Sequence, residues 1–360
     1  MLKTYKNIQS IRLHLFLAAM LLTLLSACEK NDQDDDQLFK AGEGFFILNE
    51  GGWQKANASV TYRYYDGDST KHSIFEAANG NKLGDVLQDM MINDSLSYLV
   101  INNSGYIKVV RTGNFEEKTT IRGFNSPRSI LKVNNTTAFV SDLYANQIYV
   151  VNLVTNTISD SIYTGKYTES MVLVNGKVYI TLPSVWGLYN SDQILEIDPS
   201  TKTITRQLTV GLNPYQVIAD QKGHLWIFCL GDAWASPAVA ASIHRINPTN
   251  ITDKSVIDLS ELPVAYSGTM AYNKTDKKIY FLNGDLYQID ISGSQYPVTK
   301  LAAFSGRTTY GLGYDVANDY LYISDVKDYN QNGTILKYSL GGQQLDEFTA
   351  GVIPSRFIFY

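Results

Sequence analysis

Cysteine is scarce: the 360 residues hold two, Cys28 and Cys229. No disulfide framework therefore supports the fold. Cys229 sits inside the apolar stretch Leu225 to Leu230, where a lone thiol serves as a small hydrophobe. Histidine is almost as rare. Of His14, His72, His224 and His244, none has a cysteine or carboxylate at metal-ligand spacing, and neither a His-Glu-x-x-His nor a Gly-x-Ser-x-Gly pattern occurs. An excess of basic charge is missing too. Thirty Lys and Arg face 35 Asp and Glu with no basic stripe, which argues against a nucleic-acid partner. Gly311-Leu312-Gly313-Tyr314 opens a strand rather than a strand-to-helix turn, so it does not read as a nucleotide loop. Helical periodicity is nearly absent, and the one long apolar run, Leu15 to Leu25, is too short to span a bilayer comfortably.

That run follows Lys3, Lys6 and Arg12 with no acid before it, the n-region and h-region of a signal peptide over residues 1–27. It ends in Leu25-Ser26-Ala27-Cys28, which resembles the lipobox of bacterial lipoproteins. The resemblance implies acyl chains on Cys28, and several chains anchor stably where one does not. The alternative is a secretion signal with an incidental cysteine. Removing the segment takes away three positive charges and moves the net charge from −5 to −8. Residues 28–40 contain the solvated run Glu29-Lys30-Asn31-Asp32-Gln33-Asp34-Asp35-Asp36, which will not pack. It reads as a plain tether, and it also resembles the surface-export signal of Bacteroidota lipoproteins. That resemblance implies an outer-membrane location facing the cell exterior, with membrane attachment through the N-terminal lipid alone.

From residue 41 onward one unit recurs. Its second strands read Phe45-Phe46-Ile47-Leu48, Tyr98-Leu99-Val100-Ile101, Ala138-Phe139-Val140-Ser141, Val178-Tyr179-Ile180-Thr181, Leu225-Trp226-Ile227-Phe228, Ile279-Tyr280-Phe281-Leu282 and Leu321-Tyr322-Ile323-Ser324. First-strand anchors fall at Leu87, Pro127, Glu169, Pro214, Gly268, Gly311 and Pro354, spaced by 40, 42, 45, 54, 43 and 43 residues. A period in the forties with four strands per unit predicts an all-β, seven-bladed β-propeller of four-stranded blades over residues 41–360. Gly44 to about Ala77 supplies strands two to four of one blade, and Ser355 to Tyr360 a lone first strand. The C-terminal strand is thus expected to join the N-terminal blade and close the ring, hiding a sheet edge.

Ala138-Phe139-Val140-Ser141-Asp142, Ile148-Tyr149-Val150-Val151-Asn152 and Thr155-Asn156-Thr157-Ile158 resemble the YVTN (YncE-like) surface-layer propeller repeat. Ile194-Leu195-Glu196-Ile197-Asp198-Pro199 and Leu286-Tyr287-Gln288-Ile289-Asp290 repeat its third strand. This resemblance specifies a fold; propellers host many activities.

Within such a blade, the loops joining strands two and three open on the same face as the loops between blades. Long second-to-third loops carry Trp53, Trp186, Tyr189, Trp234 and Tyr329, and a shorter one carries Tyr144. Inter-blade loops add Arg128, Tyr215, Tyr266, Tyr310 and Arg356 beside the central channel. Aromatic side chains on loops give contact area at little entropy cost, so this set is the expected ligand-binding face. The alternative is that each tryptophan folds back to cap its own loop. One metal pattern stands out: Asp328, Asn330 and Asn332 before Gly333 match the first half of a calcium loop. Ser339 stands where a bidentate glutamate should follow, and Asn-Gly also favours a tight hairpin turn. Calcium, if bound, would be structural, and no cofactor is required.

Anchor, acidic run and aromatic face together suggest a surface lipoprotein that captures a small-molecule nutrient and passes it to a TonB-dependent transporter. Similarity to the cobalamin-binding surface propellers of Bacteroidota implies a corrinoid as the ligand, resting on fold, anchor and aromatic face. The competing expectation is a protein-interaction or surface-layer scaffold whose same face grips a partner protein. An enzyme would need carboxylates converging on a metal in the channel, where the anchors supply only Asp89 and Glu169; the chain is read as a non-enzyme.

Overall fold

The computed structural model describes residues 38–67, 69–262 and 268–360. Cys28, most of the acidic run and Tyr266 lie outside the described residues. The chain forms seven four-stranded antiparallel sheets arranged as blades. Counting outward from the channel, the second strands are Gly44–Asn49, Leu96–Ile101, Thr137–Asp142, Lys177–Leu182, Leu225–Cys229, Lys278–Asn283 and Tyr320–Asp325. They are buried along nearly their whole length, which is why they read as continuous apolar runs rather than alternating ones. A blade is covered on both faces by its neighbours, so both sides of its middle strands must be apolar. The outermost strands, such as Thr157–Tyr163 and Thr203–Thr209, are largely exposed and correspondingly rich in Thr and Ser.

The core is divided into seven apolar clusters, one at each blade interface. Between blades 1 and 2, Phe46, Leu48 and Tyr62 meet Leu87, Leu99 and Val110. Each such fully buried side chain contributes about 1.5–3 kcal/mol from apolar burial. The ring closes as the sequence implies. Pro354–Phe359 pairs antiparallel with Gly44–Asn49, placing Phe359 opposite Phe45 and Phe357 opposite Ile47. Gly313 serves this closure: a Cβ there would lie 2.7 Å from the Phe357 side chain. The glycines that do not make a nucleotide loop thus let two blades pack.

Blade 1 differs from expectation at its outer edge. Its fourth strand is only Thr70–Lys71, and the chain then forms a short helix, α1, over Ile74–Asn79. Phe75-Glu76-Ala77-Ala78 are mostly helix formers, and Gly80 at φ 68° ends the helix in the left-handed conformation. Ile74 and Phe75 are buried in the cluster between blades 1 and 2, as is Phe39, just ahead of the first strand. No helix among the described residues is long and apolar enough to cross a membrane.

Candidate functional site

The rim is fastened by a recurring polar residue at the end of the second strand. Asp142 Oδ2 accepts the backbone amides of Asn125 and Ser126 at 3.0 and 2.8 Å. Asp325 Oδ1 accepts the Thr308 amide at 3.0 Å, and Asn102 Nδ2 donates to Ser126 Oγ and the Pro127 carbonyl. Each ties a second-to-third loop to the inter-blade loop beside it, satisfying backbone groups that no sheet ladder reaches.

On this fastened base the tryptophans stand at loop tips. In blade 4, Val185 and Tyr189 pair across a tight turn with Trp186 at its apex. In blade 5, Asp232 pairs with Val239 while its Oδ1 accepts the amides of Trp234 and Ala235. Gly231, at φ 69°, lets the carbonyls of Val239 and Ala240 approach closer than any Cβ would allow. In blade 1 the Gln54 amide donates to Asp85 Oδ2 at 2.8 Å beside Trp53. The side chains are 66 %, 96 % and 78 % exposed at Trp53, Trp186 and Trp234. They do not fold back over their own loops. Between blades 3 and 4, Tyr144, Tyr167 and Tyr189 form a run of ring contacts, with centroids 5.8 and 6.1 Å apart. Tyr189 Oη also accepts the Tyr167 amide at 3.0 Å. Tyr167 escaped the sequence reading because it lies in an inter-blade loop of unremarkable length.

The channel mouth is built by irregularities in the first strands. The register between first and second strand shifts at the rim end in five blades. The stretches it skips contain Gln88, Arg128, Tyr215, Tyr310 and Ser355. A bulge leaves a residue unpaired and re-aims its side chain. Tyr215, Tyr310, Gln88 and Ser355, together with Glu50, Glu169, Ser170 and Arg356, line a cavity of about 230 Å³. Two ion pairs brace it. Arg128 forks onto Glu169, with Nε 2.8 and 2.9 Å from the two carboxylate oxygens and Nη2 2.8 Å from Oε1. Burial alone would loosen the Arg128 proton, but Glu169 holds the guanidinium charged beyond its ordinary value. Arg356 is held less tightly. Among the described residues its ion-pair partner is Asp89 Oδ1 at 3.4 Å, and the side chain is 41 % exposed. Asp89 is meanwhile satisfied by Ser129 Oγ and the Ile130 and Met90 amides.

Glu50, one residue past the second strand of blade 1, was not anticipated. Tyr310 Oη donates to its Oε1 at 3.2 Å. Water reaches the side chain through the mouth, yet protein surrounds it. Burial pushes its carboxyl above the usual range, against the opposing pull of Arg128, the Tyr310 and Ser355 hydroxyls and Arg356. Tyr310 is raised in turn by the Glu50 charge and by burial, and Tyr215 by burial and by Glu169. Both phenols therefore stay protonated donors. Cys229 is buried and its thiol pushed up to about 12, so it packs rather than reacts.

The remaining features lie apart. In the blade 7 loop, Asp328 Oδ1 accepts the amides of Asn330 and Gln331, and Lys327 Nζ donates to the Asn332 carbonyl at 2.8 Å. One Asp328 carboxylate oxygen thus caps the turn of its own loop. A larger groove of about 310 Å³ runs between blades 5 and 6, past the turns at the other end of the strands. Five of its lining side chains are mutually engaged: Asp220 takes His224 Nδ1 and Trp226 Nε1, and Arg245 joins His224 Nε2 to Asp253. That closed network reads as structural bracing, so the smaller channel cavity is the stronger candidate.

Solved structures share this fold. A quinoprotein alcohol dehydrogenase-like protein from Bacteroides thetaiotaomicron superposes with a TM-score of 0.67 at 14% identity, covering 88% of this chain and 78% of that one. The hydrazine synthase of Kuenenia stuttgartiensis gives 0.61 at 14% identity, covering 75% and 88%. The periplasmic gluconolactonase of Pseudomonas aeruginosa gives 0.63 at 10% identity, covering 88% and 99%. Identities this low speak for the fold alone. No curated protein matches the sequence. Residues 43–340, all seven second strands among them, match one sequence family, and the chain belongs to it: Domain of unknown function (DUF5074).

Proposed function

We propose that the rim and channel mouth form a capture site for a small-molecule nutrient, on a protein anchored through Cys28 to the outer membrane and serving a TonB-dependent transporter. The observation that carries this reading is the set of tryptophan side chains left in solvent at the tips of hydrogen-bonded loops, around a polar channel. An exposed indole on a fixed backbone is costly to keep in water and ready to bury against an apolar ring face. Hydrogen-bonding groups and two internal ion pairs beneath suit a ligand with a broad apolar face and polar edges, and a corrinoid is the best match of that kind. Binding rather than catalysis is our reading of the channel: Asp89 and Glu169 are each engaged by an arginine, which leaves Glu50 as the one channel carboxylate without a cation in contact among the described residues.

Titrating the mature protein lacking Cys28 with cyanocobalamin and with cobinamide, followed by tryptophan fluorescence or heat, tests the reading. Saturable binding tighter than micromolar supports it, and its absence for both overturns the corrinoid assignment. A protein partner is the second reading, favoured by Leu188, 66 % exposed beside Trp186. Two bare apolar side chains on one tip also suit a protein interface.

A further inference from the structure

Five charged side chains converge on the channel mouth: Glu50, Asp89, Glu169, Arg128 and Arg356. Two pairs cancel. Arg128 is forked onto Glu169, and Arg356 faces Asp89. The fifth, Glu50, has no cation in direct contact among the described residues; the Tyr310 and Ser355 hydroxyls are its side-chain partners. The groups facing it are Arg128, Arg356, Tyr310 and Ser355, with Tyr329 further out. The remaining lining mixes dipolar groups, among them the Tyr215 phenol, the Gln88 amide, Ser170 and Thr269, with the apolar Leu312, Phe357 and Ile358. An anion entering here meets the Glu50 and Glu169 carboxyls, and a cation meets the Arg356 guanidinium with Arg128 behind Glu169. Either exchanges its hydration for a wall of mixed sign, and that desolvation is expensive.

An uncharged group that donates and accepts at once has no such penalty. A carboxamide is a small group of that kind. Its carbonyl can accept from the loosely held Arg356 guanidinium or a tyrosine hydroxyl, and its NH2 can donate to the Glu50 carbonyl oxygen. About 230 Å³ is ample for it, since one water's share of liquid volume is about 30 Å³. We propose that the channel mouth is a receptor for an uncharged carboxamide arm of the captured molecule, with Glu50, Tyr310, Tyr215 and Arg356 as the contacting groups. This rests on the capture reading and adds to it the chemistry of the arm that enters.

Acetamide, acetate and methylammonium, titrated separately into protein carrying carboxyl-13C glutamate, test the receptor. The Glu50 signal is assigned by its loss in Glu50→Gln. Acetamide is expected to move that signal saturably, with acetate and methylammonium at least tenfold weaker. Arg356→Lys, which keeps charge but loses the fork, weakens acetamide by about tenfold. A response to acetate or methylammonium at lower concentration than to acetamide overturns the proposal, and so does no response to any of the three. Trp186→Ala and Trp234→Ala lie outside the receptor and leave the acetamide response unchanged. Cyanocobalamin binding without an acetamide response therefore overturns the receptor alone. An acetamide response without cyanocobalamin binding overturns the corrinoid reading alone.

Discussion

Arg128→Ala should be the most damaging single truncation at the channel mouth. The guanidinium makes three contacts of 2.8–2.9 Å with Glu169, and the two side chains are 14 % and 7 % exposed. Removing it strands a nearly buried carboxylate with no cation in contact. Breaking a buried pair from one side costs about 3–5 kcal/mol, whereas replacing both partners by neutral groups of similar shape costs little. Unfolding entropy of about 2.1 cal/mol/K per residue gives roughly 0.7 kcal/mol/K for a ring of this size, so the thermal midpoint should fall by about 4–7 °C. Arg128→Met with Glu169→Gln should recover most of that loss. The assay is calorimetric or dichroic melting of wild type, single and double variants. A single variant melting within 1 °C of wild type, or a double no better than the single, would refute the assignment of Glu169 as a buried, arginine-dependent charge.

Three other perturbations follow from the same geometry. Trp186→Ala and Trp234→Ala should leave the melting midpoint unchanged, since both side chains are solvent-exposed, yet each should weaken cyanocobalamin by about tenfold or more in a fluorescence titration; unaltered affinity in both moves the site off this rim. Glu50→Gln should gain stability relative to wild type as pH rises. The folded carboxyl holds its proton to higher pH than the unfolded one, so the stability Glu50 contributes is complete at low pH and is lost as pH climbs through the folded value. Glutamine never ionises and escapes that loss; a difference in midpoint constant across pH would contradict it. Gly231→Ala must place a Cβ against the Val239 and Ala240 carbonyls at φ 69°, at a cost of at least 1–3 kcal/mol. Limited proteolysis should then cut residues 231–241 faster than in wild type, and an unchanged rate would show the loop has another way to close.

Much of the architecture was legible because propeller blades are buried on both faces. Strands such as Phe45 to Leu48 and Leu225 to Phe228 must be apolar at every position, and that continuous signal survives without any alignment. The short fourth strand of blade 1 was not legible as such, since the α1 residues are too few for a helical period to show. The rim aromatics were found by loop length and composition. The channel was found only in part. Arg128 and Glu169 are 41 residues apart, close to one period, so neighbouring blades must bring them together; equivalence along the repeat could have revealed that pair. Glu50 offered no such signal: it sits in a long loop whose aromatic residue drew attention, and its chemistry comes from burial, which depends on the whole ring.

Many of the residues that line the channel belong to irregular rim ends of the first strands. Anchor and second strand stand 9 to 11 residues apart, and the register shifts near Gln88, Arg128, Tyr215, Tyr310 and Ser355 belong to the same first strands. A regular first strand pairs each residue with its neighbour and sends side chains alternately into the two blade interfaces, where the apolar clusters offer an Arg charge no partner. A bulge at the rim end takes one residue out of that alternation without moving the strand below it. The core is thus indifferent to what the bulged residue is. Substitutions there can change what the channel recognises while the seven interfaces stay intact. In blades 4 and 6, where the first strands Met171–Val174 and Thr269–Asn273 begin later and show no such shift, the mouth is lined instead by Glu169, Ser170 and Gly268, just ahead of the strands. The repeat supplies stability through its regular positions, and its irregular ones carry the chemistry.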